Sequence, residues 1–235
     1  METQAIYQKS SKVHSSNCRL EWLVLSQVPL IRAALGDCMD LMASTADNHY
    51  DLAIVDPPYG IGKHGQIKST GVHGGRKSHK IKDWDNYTPN EKYFTELFRI
   101  SKNQIIWGAN YYPQYLTGTM GWVFWDKGQD LNQSDGELAF TSFDRAFRRV
   151  IINRVELLKE GTIHPTQKPI KLYRWLLKNY AKAGQRILDT HGGSFSSAVA
   201  CHTEGFEMDI IEIDEEYYNA GVKRFKEATC QLKLL

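Results

Sequence analysis

The 235-residue sequence is short of cysteine, with only Cys18, Cys38, Cys201 and Cys230, widely spaced and without a Cys-x-x-Cys pair. That excludes a disulfide framework and a zinc ribbon, and reduced thiols in a cytoplasm are the expectation. Long apolar runs are also missing. Nothing approaches the roughly 18 to 20 apolar residues of a membrane span, and the first 20 residues lack the apolar stretch of a secretory signal. Net charge is nearly absent, since 29 Lys and Arg face 27 Asp and Glu. Internal repeats and low-complexity tracts are absent as well. What is present suffices for a core: 42% of residues are hydrophobic and 11% aromatic, which excludes wholesale disorder. The length suits one α/β domain with at most a modest insertion.

Charge is unevenly spread. Residues 60–82 carry Lys63, Lys68, Arg76, Lys77, Lys80 and Lys82, no acid, six glycines and three histidines, and so read as a flexible basic loop. A second basic patch, Arg145 to Arg154, includes Arg148 and Arg149, whereas residues 204–216 hold seven acids and no base. Basic loops attract phosphate backbones, although a solvated surface loop has the same composition. His64, His73 and His79 lack partners at ligand spacing, so no metal site is expected.

Local patterns predict the following order. A polar arm occupies residues 1–20, and one domain fills 21–235. A strand ends at Leu35, a short helix follows around residues 39–43, and 50–55 (YDLAIV) reads as a buried strand stopped by two prolines. Thr88-Pro89 predicts an N-cap with proline at the first helical position, opening a helix to about Ser101. Residues 104–107, 122–125 and 137–141 predict short strands, and Pro169 begins another helix. From Arg186 the pattern is clearest: strand, glycine-rich turn, small-residue helix, strand ending in acid, final helix. A doubly wound sheet follows, with its ligand across the carboxyl ends of the strands.

Chemistry concentrates at two places. The turn Thr190-His191-Gly192-Gly193-Ser194 matches neither a dinucleotide fingerprint nor a phosphate loop. Glu212, 19 residues beyond Gly193, is nonetheless placed to accept both hydroxyls of a ribose. At Asp56-Pro57-Pro58-Tyr59, a carboxylate and a proline carbonyl make adjacent acceptors beside a flat ring. Two acceptors suit an amine with two protons to donate, so a planar amine-bearing ring would stack on Tyr59. The aromatic stretch from Trp107 to Tyr112 either lines that pocket or packs in the core.

Four segments in this order, GDCMDLM, DLAIVDPPYG, HPTQKP and RILDTHGGSFSSAVA…FEMDIIEID, resemble the beta-class amino methyltransferases of DNA. The resemblance covers roughly residues 35–60 and 137–225. It implies a Rossmann-like methyltransferase fold with circularly permuted motif order, and S-adenosylmethionine as cofactor with no metal. Asp56, Pro57, Pro58 and Tyr59 would orient and stack an extruded base, because a paired amine is out of reach within a duplex. Asp189, His191, Gly193 and Ser194 would hold the methionine part, Glu212 the ribose, and Asp37 with Cys38 the adenine. Thr166 and Lys168 would close over the methionine carboxylate.

The implied reaction is transfer to adenine N6 in double-stranded DNA. Cytosine N4 is the runner-up, and a catalytically silent DNA-binding module is the rival from another class. Lys63, Lys68, Arg76, Lys77, Lys80, Lys82, Arg148 and Arg149 would meet DNA, with residues 144–163 as a short recognition segment. A homodimer and a cytoplasmic location in a bacterium or from a phage are further expectations of the resemblance. The family turn usually reads D-P-F-x-G-S-G-T. Here the phenylalanine is replaced by His191 and the second glycine by Phe195.

Overall fold

The computed structural model describes residues 20–62, 85–128, 134–153 and 155–232. In chain order its elements are strands β1 (Trp22–Gln27) and β2 (Leu30–Leu35), helix α1 (Cys38–Ser44), β3 (Leu52–Val55), α2 (Glu91–Ile100) and β4 (Gln104–Trp107). Two short 3₁₀ turns lead to β5 (Trp122–Asp126), β6 (Gly136–Thr141), β7 (Arg148–Ile151) and α3 (Val155–Glu160). Then come α4 (Ile170–Tyr180), β8 (Arg186–Asp189), α5 (Ser196–Glu204), β9 (Glu207–Glu212) and α6 (Glu215–Leu232). Residues 1–19 of the polar arm, the six basic residues from Lys63 to Lys82 and the three histidines at 64, 73 and 79 lie outside the described residues.

The described strands form one sheet in the order β1-β2-β9-β8-β3-β4-β6-β5-β7. From β2 to β4 every neighbour is parallel, so five strands end at one edge. β3 shows why this segment is a central strand. All four of its residues are buried, with Leu52 and Ile54 facing one core while Ala53 and Val55 face the other. Helices α4, α5 and α6 cover the first face, and α1 and α2 the second. The expected mostly parallel, doubly wound α/β sheet is therefore the observed one.

Two differences from the sequence reading have local causes. The apolar stretch 22–35 is two antiparallel strands, because the chain turns at Val28–Pro29. Helix α2 is capped not by Thr88 but by Asn90, whose side chain accepts from Tyr93 N at 3.2 Å. An amide oxygen two positions further on reaches the third helical N–H, which leaves Pro89 ahead of the cap. Residues 144–163 contain β7 and α3, so much of this segment is built into the sheet edge and the site wall.

Candidate active site

Parallel pairing brings distant segments together. β3 and β8 are neighbours, pairing Leu52 with Ile187 and Ala53 with Leu188. The tetrapeptide after β3 therefore stands beside the glycine-rich turn after β8. On the other side of β8, the end of β9 delivers Glu212, and β2 delivers Asp37. Gly36 N donates to the Glu212 carbonyl at 2.9 Å, tying those two ends together.

Two cavities open at this edge. The larger, about 600 Å³, is bordered by Asp56, Tyr59, Tyr111, Trp125, Lys127 and Glu137. The smaller, about 80 Å³, lies against His191, Gly193, Ser194, Glu212 and Ile213. Asp56, Pro58, His164, Thr166 and Gln167 border both, so they form the neck where the cavities meet.

On the large-cavity side, Asp56 Oδ1 accepts from the Tyr59 hydroxyl at 2.6 Å, and Asp56 Oδ2 accepts from Lys168 Nζ. Lys168 Nζ also lies 3.0 Å from Glu137 Oε2, and Lys127 Nζ lies 2.9 Å from Glu137 Oε1. Two carboxylates and two ammoniums thus balance in a site largely shut from water. Lys168 is further enclosed by the rings of Trp107 and Tyr59, 5.2 and 5.5 Å from its nitrogen. Burial raises the Asp56 carboxyl above its usual range; the Lys168 ammonium opposes this and the Glu137 carboxylate adds to it. Burial also pushes Glu137 up, but Lys168 and Lys127 outweigh it and hold this carboxyl down at about 2. For Lys168, burial pulls the amine down while Asp56 and Glu137 pull it up and prevail, so it stays charged.

Tyr59 is fixed on several sides. Its backbone N–H and that of Gly60 donate to Asp85 Oδ1 at 2.8 and 3.0 Å. Its ring stacks on Tyr111 at 5.0 Å, inclined by 15°. Gly108, at φ +68°, leaves the ring room: a Cβ there would lie 2.0 Å from Tyr59 Cε1. Of the aromatic stretch from Trp107 to Tyr112, Trp107 and Tyr112 pack in the core, and Tyr111 borders the large cavity.

On the small-cavity side the carboxylates organise backbone. Asp189 accepts from His191 N at 3.0 Å and from the Ser197 hydroxyl at 2.6 Å. Burial raises its carboxyl to about 7 despite those donors. Glu212 accepts from Gly193 N at 2.6 Å and Asp214 N at 2.8 Å, and burial raises it too. His191 Nδ1 lies 2.9 Å from Thr190 Oγ1, which in turn bonds the Tyr93 hydroxyl at 2.7 Å. Burial lowers His191 to about 4, so its ring is neutral at pH 7. Phe195 takes a left-handed conformation, φ +57°, and its ring fills the space beside Gly192 and Gly221. A Cβ at either glycine would meet the ring, so both leave room for this large side chain.

The remaining expected residues are less tied to the cavities. Asp37 Oδ1 caps α1 through Met39 N at 2.8 Å, and burial pushes the Cys38 thiol up; neither residue borders either cavity. Thr166 meets its own strap, with Oγ1 3.2 Å from His164 Nδ1. On the edge strand β7, Arg149 pairs with Asp126 at 2.5 Å, while Arg148 is exposed. Sequence reading missed Glu137, Asp85, Tyr93 and Arg224. Only Glu137 carried a signal, a carboxylate opening an otherwise apolar strand. Arg224 is nearly buried and donates to the Ser194 carbonyl at 2.7 Å and to Glu160 at 2.9 Å, bracing the turn from behind.

Two cavities thus lie at the carboxyl edge of an α/β sheet and meet at an acid-Pro-Pro-Tyr neck. Residues 122–223 match the N6_N4_Mtase family model, described as DNA methylase. The YubD protein of Escherichia coli, whose description as a methylase is itself provisional, is 23% identical over 208 residues, 80% of this chain and 87% of its own length. The DNA adenine methyltransferase YhdJ of the same organism is 33% identical over 73 residues, 31% of this chain and 25% of YhdJ.

Among solved structures, the cytosine-N4-specific PvuII DNA methyltransferase superposes with a TM-score of 0.59 at 12% identity, covering 90% of this chain and 94% of its own. M1.HpyAVI, solved with SAM, gives 0.56 at 16% identity, covering 83% and 98%. The chain is thus similar to DNA methylases over residues 122–223, and it shares its fold with the two solved methyltransferases.

Proposed function

We propose that this protein transfers the methyl group of S-adenosylmethionine to the exocyclic N6 amine of adenine in double-stranded DNA, on a base turned out of the helix. The observation that carries the reading is the neck: Asp56 and Pro58 border a large cavity on one side and the glycine-rich turn on the other. A target amine in the large cavity would meet a donor seated on the turn only there, and holding both at a fixed separation is the main catalytic contribution available.

The acceptors at the small cavity suit a nucleoside. Each Glu212 oxygen accepts one backbone N–H and keeps capacity for a ribose hydroxyl. Asp189 would act through the turn it shapes, presenting Gly193 and Ser194 to the methionine part, and Asp37 and Cys38 would flank the adenine from the neighbouring strand end. The cleft's 80 Å³ is below the roughly 300 Å³ of small-ligand sites. Movement of segment 163–169 away from Tyr217, whose ring is 4.3 Å from that of His164, would supply the extra room. When bound, the cofactor supplies an electrophilic methyl group on a sulfonium.

Asp56, with the Pro57 carbonyl, would accept the two amine protons and align the nitrogen lone pair, while Tyr59 offers the stacking surface. Arg148 and the basic residues of the 60–82 segment would meet phosphates, which position a duplex without reading its sequence. The DPPY form of the tetrapeptide and the YhdJ match both lean to adenine. Cytosine N4 is the second reading, favoured by the PvuII likeness. Association into a homodimer, expected from the family, is read by sedimentation with and without DNA.

Calorimetric titration with S-adenosylmethionine separates an enzyme from a silent module. Saturable binding at one site, weakened at least tenfold by Glu212→Ala, is expected. A folded protein that binds no cofactor would overturn the reading.

A further inference from the structure

Glu137 is a carboxylate in the middle of a sheet, on β6, where every hydrogen-bonding group must find a partner. Two of its three partners are the donors that hold Asp56. Lys168 Nζ stands between Glu137 Oε2, 3.0 Å away, and Asp56 Oδ2. The Tyr59 hydroxyl lies 3.3 Å from Glu137 Oε2 and 2.6 Å from Asp56 Oδ1. Lys127, on the opposite side, binds Glu137 and not Asp56. Removing Glu137 would leave two ammoniums facing one carboxylate, and Lys168 would have Asp56 as its remaining charged partner.

We propose that Glu137 is a positioning residue for the transfer: it shares Lys168 with Asp56, and so leaves Asp56 basic enough to receive the proton that the methylated amine must shed. The inference rests on the methyltransferase reading above. In that step the amine lone pair forms the new nitrogen–carbon bond, and the carbon–sulfur bonding pair stays with sulfur. The nitrogen, now cationic, gives one proton to an Asp56 oxygen, which later returns it to water through the large cavity.

The titration directions agree with this geometry, since Glu137 stays ionised while Asp56 is the acid pushed upward. The other ionisable groups acting on Asp56 or acted on by it are Tyr59, Tyr93, Tyr112, Tyr173 and Asp189. Burial keeps the four phenols neutral through the neutral range. Asp189 titrates near 7 and must be distinguished.

The test is the Asp56 titration followed by carboxyl ¹³C NMR of aspartate-labelled protein, with the signal assigned by its loss in Asp56→Asn. In Glu137→Gln the Asp56 midpoint is expected to fall by about one pH unit or more. Glu137→Asp, which keeps the charge, should restore most of the wild-type value. Lys127→Gln should move the midpoint upward, and it supplies the answer if Glu137→Gln loses its cooperative melt. An unchanged or raised midpoint in folded Glu137→Gln, or an unchanged midpoint in Lys127→Gln, overturns the proposal.

This readout needs no DNA, so it stands apart from the methyltransferase reading, which fails instead if wild-type protein labels no DNA. Where the wild type does transfer, the acid limb of the single-turnover rate should follow the NMR midpoint, and KM for the cofactor should stay within about twofold. A Glu137→Gln rate profile identical to the wild type would also overturn the proposal.

Discussion

Lys168 and Asp56, 112 residues apart in the chain, meet in a charge-assisted hydrogen bond at the neck between the two cavities. The ammonium side chain is 1% exposed and the carboxylate 15%. Such a pair is costly to break from one side, because the surviving charge is left in a dry site.

Asp56→Ala is therefore expected to abolish transfer, by at least about a thousandfold in kcat, since it removes an amine acceptor and the proton's destination together. Cofactor affinity should change by less than threefold, because Glu212 and the turn are untouched. Single-turnover kinetics and calorimetry on the same preparation check both halves.

Gly108→Ala tests the packing behind Tyr59. The new methyl would lie within 2.6 Å of three ring atoms and would sit at φ +68°. Both effects oppose it, so the ring must leave its place on Tyr111. Melting should fall by the equivalent of a few kcal/mol. Transfer should drop with cofactor binding preserved.

Phe195→Gly installs the glycine usual in the turn of the methyltransferases that the sequence resembles, and the two consequences can be ranked. Relief of the left-handed backbone is worth about 1 to 2 kcal/mol. The emptied space, where the ring was wholly buried, costs about 3 to 5 kcal/mol. The cavity wins, and the variant should unfold at lower denaturant. Adding a larger residue at Gly221, whose Cβ would point into the vacated space at 2.4 Å from the old ring position, should recover part of the loss.

His191→Phe installs the phenylalanine usual in that resembled turn and should flatten the acid side of the stability curve. The folded ring titrates at about 4, against an ordinary histidine value near 6.5. Between those values the unfolded chain binds the extra proton, so wild-type stability falls as pH drops from 6.5 towards 4. The partly exposed ring limits the effect at pH 5 to on the order of 1 kcal/mol. Thermal melts at pH 7 and pH 5 should show a smaller drop for the variant.

The parts of the site legible in the sequence were those written in contiguous residues. The buried run before Asp56 and the strand-turn-helix-strand from Arg186 carry their own periodicity, so all three strands and both turns fell where they were expected. What stayed hidden depends on pairing between distant segments. The approach of Lys168 to Glu137 follows from β6 lying beside β4 in the sheet, which no local pattern records. Asp85 became a backbone acceptor for Tyr59 only through a 26-residue return of the chain. Phe195 looked like a defect in a glycine turn. It is accommodated because Gly192, in the turn, and Gly221, on another helix, leave space for its ring. Lys168 was expected against the cofactor's carboxylate, yet its nitrogen is directed at Asp56 and Glu137.

The most direct test is incubation of the protein with methyl-labelled S-adenosylmethionine and mixed-sequence double-stranded DNA, followed by digestion to nucleosides. Label in N6-methyldeoxyadenosine, lost in Asp56→Ala, is the expected result. Label in N4-methyldeoxycytidine would contradict the adenine assignment, and no label from a folded, cofactor-binding protein would contradict the enzyme itself.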